Sequence, residues 1–557
     1  METIPEMRER LKHDLAEHAF ITKDERRIVN PDGSDFDWFF DIKGVAFTPG
    51  TLDRISTLFW DHLKGIAPFQ IGGLETVAIA LASGIAMKAQ ENKVALNSFY
   101  IRKSRKVDGM QRNIEGALND EKVILVDDAL NSGKSIVRQV KALKAEDKKV
   151  VEVCVVLAFR DPSFYEYFAN EGIKIWSIFT IEDFPRTGGL LKHAEREPQP
   201  PHPPFKIEWK FESKDPEYFH VNPKSAPVCD DERVYFGADN GHMWALNQSD
   251  GSVAWTHQVL FGAGKKRIFS SPAIFEGMLY FGAYDGNFYA LDAKTGVQKW
   301  INLEADWIGS SPCVAENLGL VYVGLEFGLW KKQGGIAAFD ARTGEKKWWH
   351  QGETFTHSTP AYSKKFGLVV VGSEAGTIFA YNAKNGTPLW QYASGGAVKA
   401  GFAIDEKSGF IAFGSWDNYV HVIDARTGEL RHKVETYKPL YSSPIIWNGK
   451  IYMGLLDKRI VCIDPDTGKL VWEFWTHSRV FATPTIINDR LYCGSNDGRL
   501  YEIDPQTGKE ISFFQVTERI VNKIAHNPTN ERFFLPTYAN ELYCLTRLPK
   551  SHPTTSA

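Results

Sequence analysis

Short apolar runs that end in glycine recur throughout the second half of the chain. Seven runs consist of three apolar or aromatic residues and a glycine, at residues 234–237, 279–282, 321–324, 369–372, 411–414, 451–454 and 491–494. A second glycine follows each run, 40 to 48 residues from the next one, at Gly251, Gly296, Gly344, Gly386, Gly428, Gly468 and Gly508. Because a fixed period of this length indicates repeated structural units, we expect an array of similar units here.

Each unit contains about four short alternating runs, separated by Asp/Asn-Gly or Thr-Gly turns. This pattern is typical of a four-stranded antiparallel blade, and blades of this period stacked radially form an all-β propeller. An eighth unit at residues 532–545 lacks the last strand of the repeat, in which a tryptophan follows a glycine at a spacing of four residues. Residues 207–211, just after a proline-rich linker, look like that missing strand. We predict an eight-bladed propeller whose first strand closes the ring with the last blade. Seven blades is the alternative if the terminal unit is degenerate.

Tryptophans follow five of the repeated glycines at a spacing of four residues: Trp255, Trp300, Trp348, Trp390 and Trp472. We expect them to pack between neighbouring blades. The Gly-x-x-x-Trp repeat, over about residues 205–548, resembles the pyrroloquinoline-quinone-type propeller family. That family includes quinoprotein alcohol dehydrogenases, which are exported, bind calcium and carry adjacent cysteines, and many scaffolding propellers without a cofactor. No two of the six cysteines are adjacent here, so we do not expect bound quinone.

One stretch in the first half of the chain runs from four apolar residues, 123–126, into Asp127 and Asp128. A small polar loop follows, and a helical pattern resumes at Ile136. The N–H groups at a helix N-terminus favour a phosphate, and paired carboxylates can accept hydrogen bonds from sugar hydroxyls. The loop lacks the glycine spacing that precedes Gly-Lys-Ser in a Walker A loop, so it is not a loop of that type. The stretch therefore predicts a site for a phosphorylated sugar.

This stretch resembles the phosphoribosyl-pyrophosphate loop of type I phosphoribosyltransferases. The resemblance implies an α/β fold, a parallel sheet flanked by helices. It implies that Asp127 and Asp128 hold the ribose hydroxyls, and assist catalysis while positive charge develops at the anomeric carbon. It also implies a phosphate-binding loop formed by Ala129, Leu130, Asn131, Ser132, Gly133, Lys134 and Ser135. Magnesium is expected to bind through the oxygens of phosphoribosyl pyrophosphate, with no direct protein ligand.

Further segments, over roughly residues 5–185, are similar to the orotate phosphoribosyltransferase group. These are an early aromatic strand at residues 36–43, a basic mobile loop followed by Glu115-Gly116, and a closing strand at residues 172–181. The resemblance implies that Arg102, Lys103 and Lys106 bind the pyrophosphate, with Lys103 and Lys106 catalytic. It further implies a glycine turn that holds the pyrophosphate end, made of Gly72, Gly73, Leu74 and Glu75.

Two departures from that group remove positive charge from a site that handles a polyanion. Asp108 stands where the mobile loop of the group carries histidine, and Glu75 and Thr76 stand where its glycine turn usually presents lysine. An added carboxylate near pyrophosphate is costly at low dielectric. Orotate as the base, and turnover itself, therefore remain open.

Length and composition indicate a soluble protein of more than one domain. A chain of 557 residues is too long to fold around a single hydrophobic core. The net charge of −4 does not favour binding to nucleic acid or to an acidic membrane surface. No signal sequence or membrane span is visible, and the scattered cysteines indicate reduced thiols in a cytoplasm. We predict a phosphoribosyltransferase-like domain at 1–190, a proline-rich linker at 191–205, the propeller at 206–548 and a disordered tail at 549–557.

Three functions follow from these patterns. The first is a magnesium-dependent phosphoribosyltransferase that acts on a nucleobase, with the propeller as a platform for a protein partner. The second is a module that senses a phosphoribosyl metabolite or nucleotide without turnover and signals through the propeller. The third is a quinone-dependent oxidoreductase on the propeller. The resemblance to orotate enzymes also allows a homodimer, and no membrane partner is expected.

Overall fold

The computed structural model describes residues 2–22, 38–102, 114–131, 133–159, 165–184, 204–213, 225–260, 267–303, 305–328 and 332–548. The chain divides into two compact units, residues 1–197 and 198–557. Most of the predicted linker and the predicted tail at 549–557 lie outside the described residues, so these two assignments stay predictions.

The first unit is built on a six-stranded sheet of order β5-β4-β3-β6-β7-β8. Its strands are β3 Gln70–Leu74, β4 Asn97–Ile101, β5 Ile114–Glu115, β6 Val123–Leu130, β7 Val150–Ala158 and β8 Lys174–Thr180. All neighbours are parallel except β5, which runs antiparallel to β4 at the edge. A separate antiparallel pair consists of β1 Phe20–Thr22 and β2 Trp38–Phe40.

Helices connect the parallel strands, as parallel pairing requires. They are α1 Ile4–His18, α2 Ile42–Ala46, α3 Thr51–Leu63, α4 Val77–Glu91, α5 Lys134–Ala145 and α6 Glu166–Asn170, with a 3₁₀ turn at Ile181–Asp183. The expected parallel sheet flanked by helices is confirmed.

Alternate residues of the central strands fill two separate cores, because successive side chains of a strand point to opposite faces. In β6, Ile124 and Val126 join the apolar cluster that includes α1, α3 and α4 residues. Val123 and Leu125 join the other cluster, which includes four residues of α5. Covered on both faces, the strand reads as a continuous apolar run up to the point where Asp127 begins the site.

The second unit contains eight four-stranded antiparallel sheets. Blades 1 and 2 consist of β10 Val228–Cys229, β11 Arg233–Gly237, β12 His242–Asn247, β13 Val253–Gln258, β14 Ala273–Phe275, β15 Met278–Gly282, β16 Phe288–Asp292 and β17 Gln298–Asn302. Blades 3 and 4 consist of β18 Cys313–Ala315, β19 Leu320–Phe327, β20 Gln333–Asp340, β21 Lys346–Gly352, β22 Ala361–Ser363, β23 Leu368–Gly372, β24 Thr377–Asn382 and β25 Pro388–Ala393. A 3₁₀ turn, Glu316–Leu318, lies within blade 3.

The remaining four blades complete the ring. Blades 5 and 6 consist of β26 Ala403–Asp405, β27 Phe410–Gly414, β28 Tyr419–Asp424, β29 Leu430–Glu435, β30 Ile445–Trp447, β31 Lys450–Gly454, β32 Arg459–Asp464 and β33 Lys469–Trp475. Blades 7 and 8 consist of β34 Thr485–Ile487, β35 Arg490–Gly494, β36 Arg499–Ile503, β37 Glu510–Gln515, β38 Ala525–Asn527, β39 Arg532–Pro536, β40 Glu541–Arg547 and β9 Phe205–Glu212.

Blade 8 combines three strands from the end of the chain with β9 from the start of the unit. The register places Trp209 opposite Cys544 and Phe211 opposite Leu542. The predicted closure and the count of eight blades are therefore confirmed, and the seven-bladed alternative is wrong. Closing the ring in this way joins the two ends of the propeller by backbone hydrogen bonds.

The repeated tryptophans pack against the following blade, as predicted. The indole N–H of Trp255 donates to the carbonyl of Ala293 over 2.9 Å, and Trp300 donates to Ala341 over 3.0 Å. A Cβ atom placed on Gly296 would lie 2.6 Å from the Trp255 ring. This close approach explains why glycine recurs at this turn, where φ is also positive.

All six cysteines are unpaired, and four of them are buried: Cys154, Cys462, Cys493 and Cys544. Among the described residues, no helix has both the length and the apolar character needed to cross a membrane.

Candidate functional site

Three parallel strands of the first unit end at the same edge of the sheet. Leu74, the last residue of β3, lies opposite Ile101, the last residue of β4, and Gly72 lies opposite Leu125 of β6. Glu75 and Arg102 directly follow the ends of β3 and β4, and Asp127 lies within β6, three residues before its end. The carboxyl edge of a parallel sheet is where such folds bind ligands, so this edge collects the predicted site residues.

Asp127 and Asp128 lie together where β6 leaves the core. The backbone N–H of Asp128 donates to Oδ1 of Asp127 over 2.9 Å. Burial raises the pKa of Asp127 well above its usual range, and a side-chain hydrogen bond and the charge of Asp128 add to this effect. The Asp127 carboxyl therefore holds a proton more readily than an exposed one.

Lys43 is the cation whose charge opposes this rise in the pKa of Asp127. It lies in α2, which begins after Asp41 accepts a hydrogen bond of 3.0 Å from the backbone N–H of Gly44. The sequence places Lys43 in the early aromatic segment but gives no sign that it acts on Asp127. Only the folding of α2 beside β6 brings the two together.

The phosphate-loop residues span the end of β6 and the start of α5. The carbonyl of Leu130 accepts two hydrogen bonds, from the Tyr165 hydroxyl over 2.8 Å and from the backbone of Phe159 over 2.9 Å. These bonds fix the base of the loop. Asn131 and Ser135 are exposed, and Ala129 is half-buried. Ser132 and the side chain of Lys134 lie outside what the structure describes.

Gly133 precedes the first residue of α5 with a φ of 73°. A Cβ atom there would come within 3.2 Å of the Phe168 ring. A residue other than glycine would therefore suffer both an unfavourable backbone conformation and a tight contact. The first N–H groups of α5 point out of the helix toward the loop, as at any helix N-terminus, and this is the feature that suits a phosphate.

Gly72 and Gly73 lie inside strand β3, and the turn itself falls at Glu75 and Thr76, before α4 begins. A Cβ atom on Gly73 would approach the carbonyl oxygen of Val126 to 2.2 Å, and one on Gly72 would meet the Phe99 carbonyl at 2.5 Å. The glycines thus allow β4 and β6 to pack closely against β3. Glu75 is anchored by a hydrogen bond of 2.9 Å from its N–H to the carbonyl of Ile101, and the peptide bond that follows it is cis.

Arg102 forms an ion pair with Glu115 of β5, with 3.5 Å between Nη1 and Oε1. Its Nε is buried without a hydrogen-bond partner in the described part of the chain. The predicted pyrophosphate ligands Lys103 and Lys106, and the departure at Asp108, lie outside the described residues, so their roles stay predictions.

A second polar cluster lies elsewhere in the first unit, where α3 covers β7. One donor atom each from His62, Glu152 and Cys154 lie within 4.8 Å of one another. His62 Nε2 is 2.8 Å from Glu152 Oε1 and its ring stacks on Trp176. Burial raises the pKa of the Cys154 thiol well above its usual range, which opposes the thiolate that a metal would need. Three donors, two of them already bonded to each other, fit a buried polar pair better than a zinc site.

The propeller contains a cavity of about 960 Å³, lined by residues of the first strands of its blades. Within the described chain, no aspartate or glutamate lines this cavity. Calcium takes carboxylate and carbonyl oxygens, so the cavity lacks the acidic ligands that the calcium of a quinoprotein dehydrogenase would need. The residues that line the cavity therefore do not fit calcium with pyrroloquinoline quinone.

Comparison with known proteins separates the two units. The profile of the phosphoribosyl transferase domain matches residues 48–179. The profile described as outer membrane protein assembly factor BamB matches residues 206–359, 271–409, 332–437 and 416–511. Both matches fall on the units in which the structure shows a phosphoribosyltransferase-like sheet and a propeller.

Curated relatives of the first unit are orotate phosphoribosyltransferases. That of Rhodopirellula baltica is 33% identical over 161 residues, which are 27% of this chain and 82% of the relative. That of Aquifex aeolicus is 28% identical over 177 residues, which are 32% of this chain and 96% of the relative.

Solved structures similar to the chain are propellers. A europium-containing methanol dehydrogenase matches 61% of this chain and 93% of its own, with a TM-score of 0.52 and 15% identity. The computationally designed Ika8 protein matches 59% of this chain and 97% of its own, with a TM-score of 0.50 and 16% identity. At these identities the likeness shows the fold alone.

Proposed function

We propose that the first unit transfers a phosphoribosyl group. The chain belongs to the phosphoribosyl transferase domain family in this unit, and to the BamB-like propeller repeat family in its second unit. The donor is phosphoribosyl pyrophosphate and the acceptor is a nucleobase, orotate or one of similar shape. The observation that carries this proposal is the adjacency of Asp127 and Asp128 to the start of α5 at one strand end.

The ribose and its 5′-phosphate would lie across the end of β6. Asp127 and Asp128 accept hydrogen bonds from the ribose hydroxyls, and their negative charge stabilises the positive charge that develops at the anomeric carbon. The N–H groups of residues 130–135 and the Ser135 hydroxyl receive the 5′-phosphate. The bond from the anomeric carbon to pyrophosphate breaks and a bond to a nitrogen of the base forms.

Pyrophosphate leaves toward the other two strand ends. Lys103 and Lys106, with Arg102, would stabilise its negative charge, and the N–H groups after β3 would bind its far end. Asp127 and Asp128 are hard oxygen donors, which suit the waters bound to magnesium. Magnesium, when bound through the substrate oxygens, supplies neutralisation of the pyrophosphate charge.

A sensing role without turnover is the second candidate, and Glu75 is the observation that favours it. A carboxylate lies at the turn that would hold pyrophosphate, and Arg102 is already paired with Glu115. Both features weaken binding of the leaving group more than binding of the ribose 5′-phosphate. A domain of this kind would hold a phosphoribosyl metabolite or nucleotide and report it through the propeller.

We assign the propeller to a protein partner. Tyr437 and Trp475 are 70% and 59% exposed, and both rings lie against the guanidinium of Arg459, at 5.2 and 5.6 Å. Exposed aromatic side chains around an arginine are the residue types that anchor protein interfaces. The unpaired cysteines favour a cytoplasmic location, and a homodimer rests on the resemblance to orotate enzymes alone.

The test is calorimetric titration of the full chain with phosphoribosyl pyrophosphate and Mg²⁺. The Asp127→Asn/Asp128→Asn double variant should lose binding. The matched control is Asp120→Asn/Asp147→Asn, which removes the same charge from exposed positions before β6 and β7, at the opposite edge of the sheet. If wild type and control bind equally and the first variant does not, release of pyrophosphate with a panel of bases separates enzyme from sensor. Equal binding by all three proteins contradicts the proposed site.

A further inference from the structure

The propeller brings eight equivalent residues to its axis, one from each blade. Each lies two residues before the first strand of its blade, and they are Ala226, Ser271, Ser311, Thr359, Gly401, Ser443, Thr483 and Lys523. All except Ala226 line the cavity of about 960 Å³. Seven of the eight positions carry small neutral residues, and one carries a cation. A single lysine thus breaks an otherwise regular ring.

The hydroxyls of this ring accept hydrogen bonds from the neighbouring blades. Ser271 accepts from the N–H of Ala226 over 2.9 Å, and Ser311 accepts from the N–H of Ser271 over 2.9 Å. Ser443 and Thr483 do the same on the other side of the ring, over 2.8 and 3.2 Å. Because these oxygens act as acceptors, their hydrogens are left to donate, and no described residue receives them. The cavity therefore presents several hydroxyl donors.

The cavity lining carries two lysines, Lys399 and Lys523, and one histidine, His357. Lys399 is paired with Glu374 over 3.2 Å, and His357 with Glu326 over 3.0 Å. Lys523 differs from both, because no described carboxylate lies against it. Its side chain is accessible to water within the cavity, yet the protein around it is dense enough that burial lowers its pKa. An unpaired ammonium in such a place is stabilised by any anion that enters.

We propose that the axial cavity of the propeller is a binding site for a small molecule that carries a carboxylate or phosphate group, held by the Lys523 ammonium and the ring of hydroxyls. Oxyanions accept hydrogen bonds from both kinds of donor. The absence of acidic groups among the described lining residues means that no carboxylate competes with the ligand, and it distinguishes this site from one for a metal-bound cofactor. The proposal is independent of activity in the first unit.

The experiment uses the full chain and two probes, succinate for the carboxylate and inorganic phosphate for the phosphate, at constant ionic strength with sodium chloride. Acetylation of individual lysines by a neutral succinimidyl ester is followed by peptide mass spectrometry. An anion bound at Lys523 stabilises the protonated ammonium, which does not react with the ester, and covers it, so labelling there should fall by about tenfold in a saturable way. This readout is specific for the cavity, because phosphate could also enter the first unit.

Variants test the role of the lysine itself. In calorimetric titrations of the full chain with succinate, Lys523→Met should weaken binding about tenfold or more, since a charge-assisted hydrogen bond is lost. Lys523→Arg keeps the charge and should retain binding. Lys509→Met removes an equal charge from an exposed position between β36 and β37, and should bind as wild type does.

The relative protection by the two probes tells a carboxylate ligand from a phosphate ligand. Labelling of Lys523 that is insensitive to both anions would overturn the proposal. Equal binding by the Lys523→Met and Lys509→Met variants would overturn it as well.

Discussion

The indole N–H of Trp209 donates a hydrogen bond of 2.8 Å to the backbone carbonyl of Gln248. Trp209 belongs to β9, the strand that completes blade 8, and Gln248 belongs to blade 1. A Cβ atom on Gly251 would lie 2.6 Å from the same ring. The contact repeats the tryptophan–glycine packing found at five other blade junctions, here at the one place where the ring is closed by the start of the unit.

Trp209→Ala should therefore weaken the whole propeller rather than one blade. Removing a largely covered tryptophan from a packed interface costs on the order of 3 kcal/mol. The check is urea unfolding followed by the circular dichroism of the β-structure. Trp475→Ala is the matched control, because its ring is 59% exposed and its loss should cost less than about 1 kcal/mol. An equal loss in both variants would mean that Trp209 does not secure the closure.

The architecture of the propeller could be predicted because the same strand and turn residues recur in every unit of the sequence. The repeat lacks its last strand in the eighth unit, and the strand-like segment at residues 207–211 was enough to place β9 in blade 8. Lys523 could not be found in the same way. The residues next to Lys523 in the sequence contain no binding motif. Lys523 stands out only when the fold brings it together with the seven equivalent positions of the other blades, which carry small neutral residues. Lys43 beside Asp127 is a similar case, since the contact crosses from α2 to a strand 80 residues later in the chain.

The glycines of the repeat should matter for packing as well as for backbone conformation. Gly296 and Gly277 both have positive φ, at 72° and 74°. A Cβ atom on Gly296 would meet the Trp255 ring at 2.6 Å, whereas one on Gly277 would meet nothing within 4 Å. Alanine at either position strains the backbone by about 1–2 kcal/mol.

Gly296→Ala should cost about 2 kcal/mol more than Gly277→Ala, because the tryptophan must also move. The difference between their free energies of unfolding, from the same urea experiment, isolates the packing contribution. Equal destabilisation by both variants would show that backbone conformation alone selects glycine at this turn.

Stability of the first unit should depend on the protonation of Asp127. Burial raises the pKa of its carboxyl above the value in the unfolded chain, so the folded state binds the proton more tightly. The stabilisation is complete below the unfolded value, near 4, and is lost as pH rises through the folded pKa. Asp127→Asn, which never ionises, should be more stable than wild type at pH 7 and show less decline between pH 4 and 7.

Asp120→Asn provides a control of opposite sign. Its hydrogen bond with Lys148 lowers the pKa of Asp120, so the variant should gain nothing at neutral pH. Thermal unfolding of both variants across this pH range, monitored by the helical circular dichroism signal of the first unit, is the measurement. A gain in stability that accompanies loss of ligand binding in Asp127→Asn would identify Asp127 as a residue retained for function. A wild type that is as stable at pH 7 as Asp127→Asn would contradict the raised pKa.

Glu75 decides between the two candidate functions of the first unit. Its carboxylate follows the last residue of β3, where pyrophosphate would lie, and replacing it with lysine changes the local charge by two. At an effective dielectric of 20 to 80, each unit of charge 6 Å away is worth roughly 0.7–3 kcal/mol, so Glu75→Lys should tighten phosphoribosyl pyrophosphate binding about tenfold or more. The gain should shrink as salt rises from 0.05 to about 0.5 M.

Glu146→Lys makes the same change of charge just after the last residue of α5, far from the strand ends of the site, and it should leave affinity unchanged. The sensing role would be supported if the wild type binds phosphoribosyl pyrophosphate weakly and releases no pyrophosphate, whereas Glu75→Lys binds it tightly and releases pyrophosphate. The carboxylate of Glu75 would then be what prevents turnover. Rapid turnover by the wild type would show instead that the cations of the segment after β4 compensate for Glu75. If Glu75→Lys and Glu146→Lys bind phosphoribosyl pyrophosphate with equal affinity, the pyrophosphate does not lie beside β3, because a charge change of two at that distance would alter the affinity.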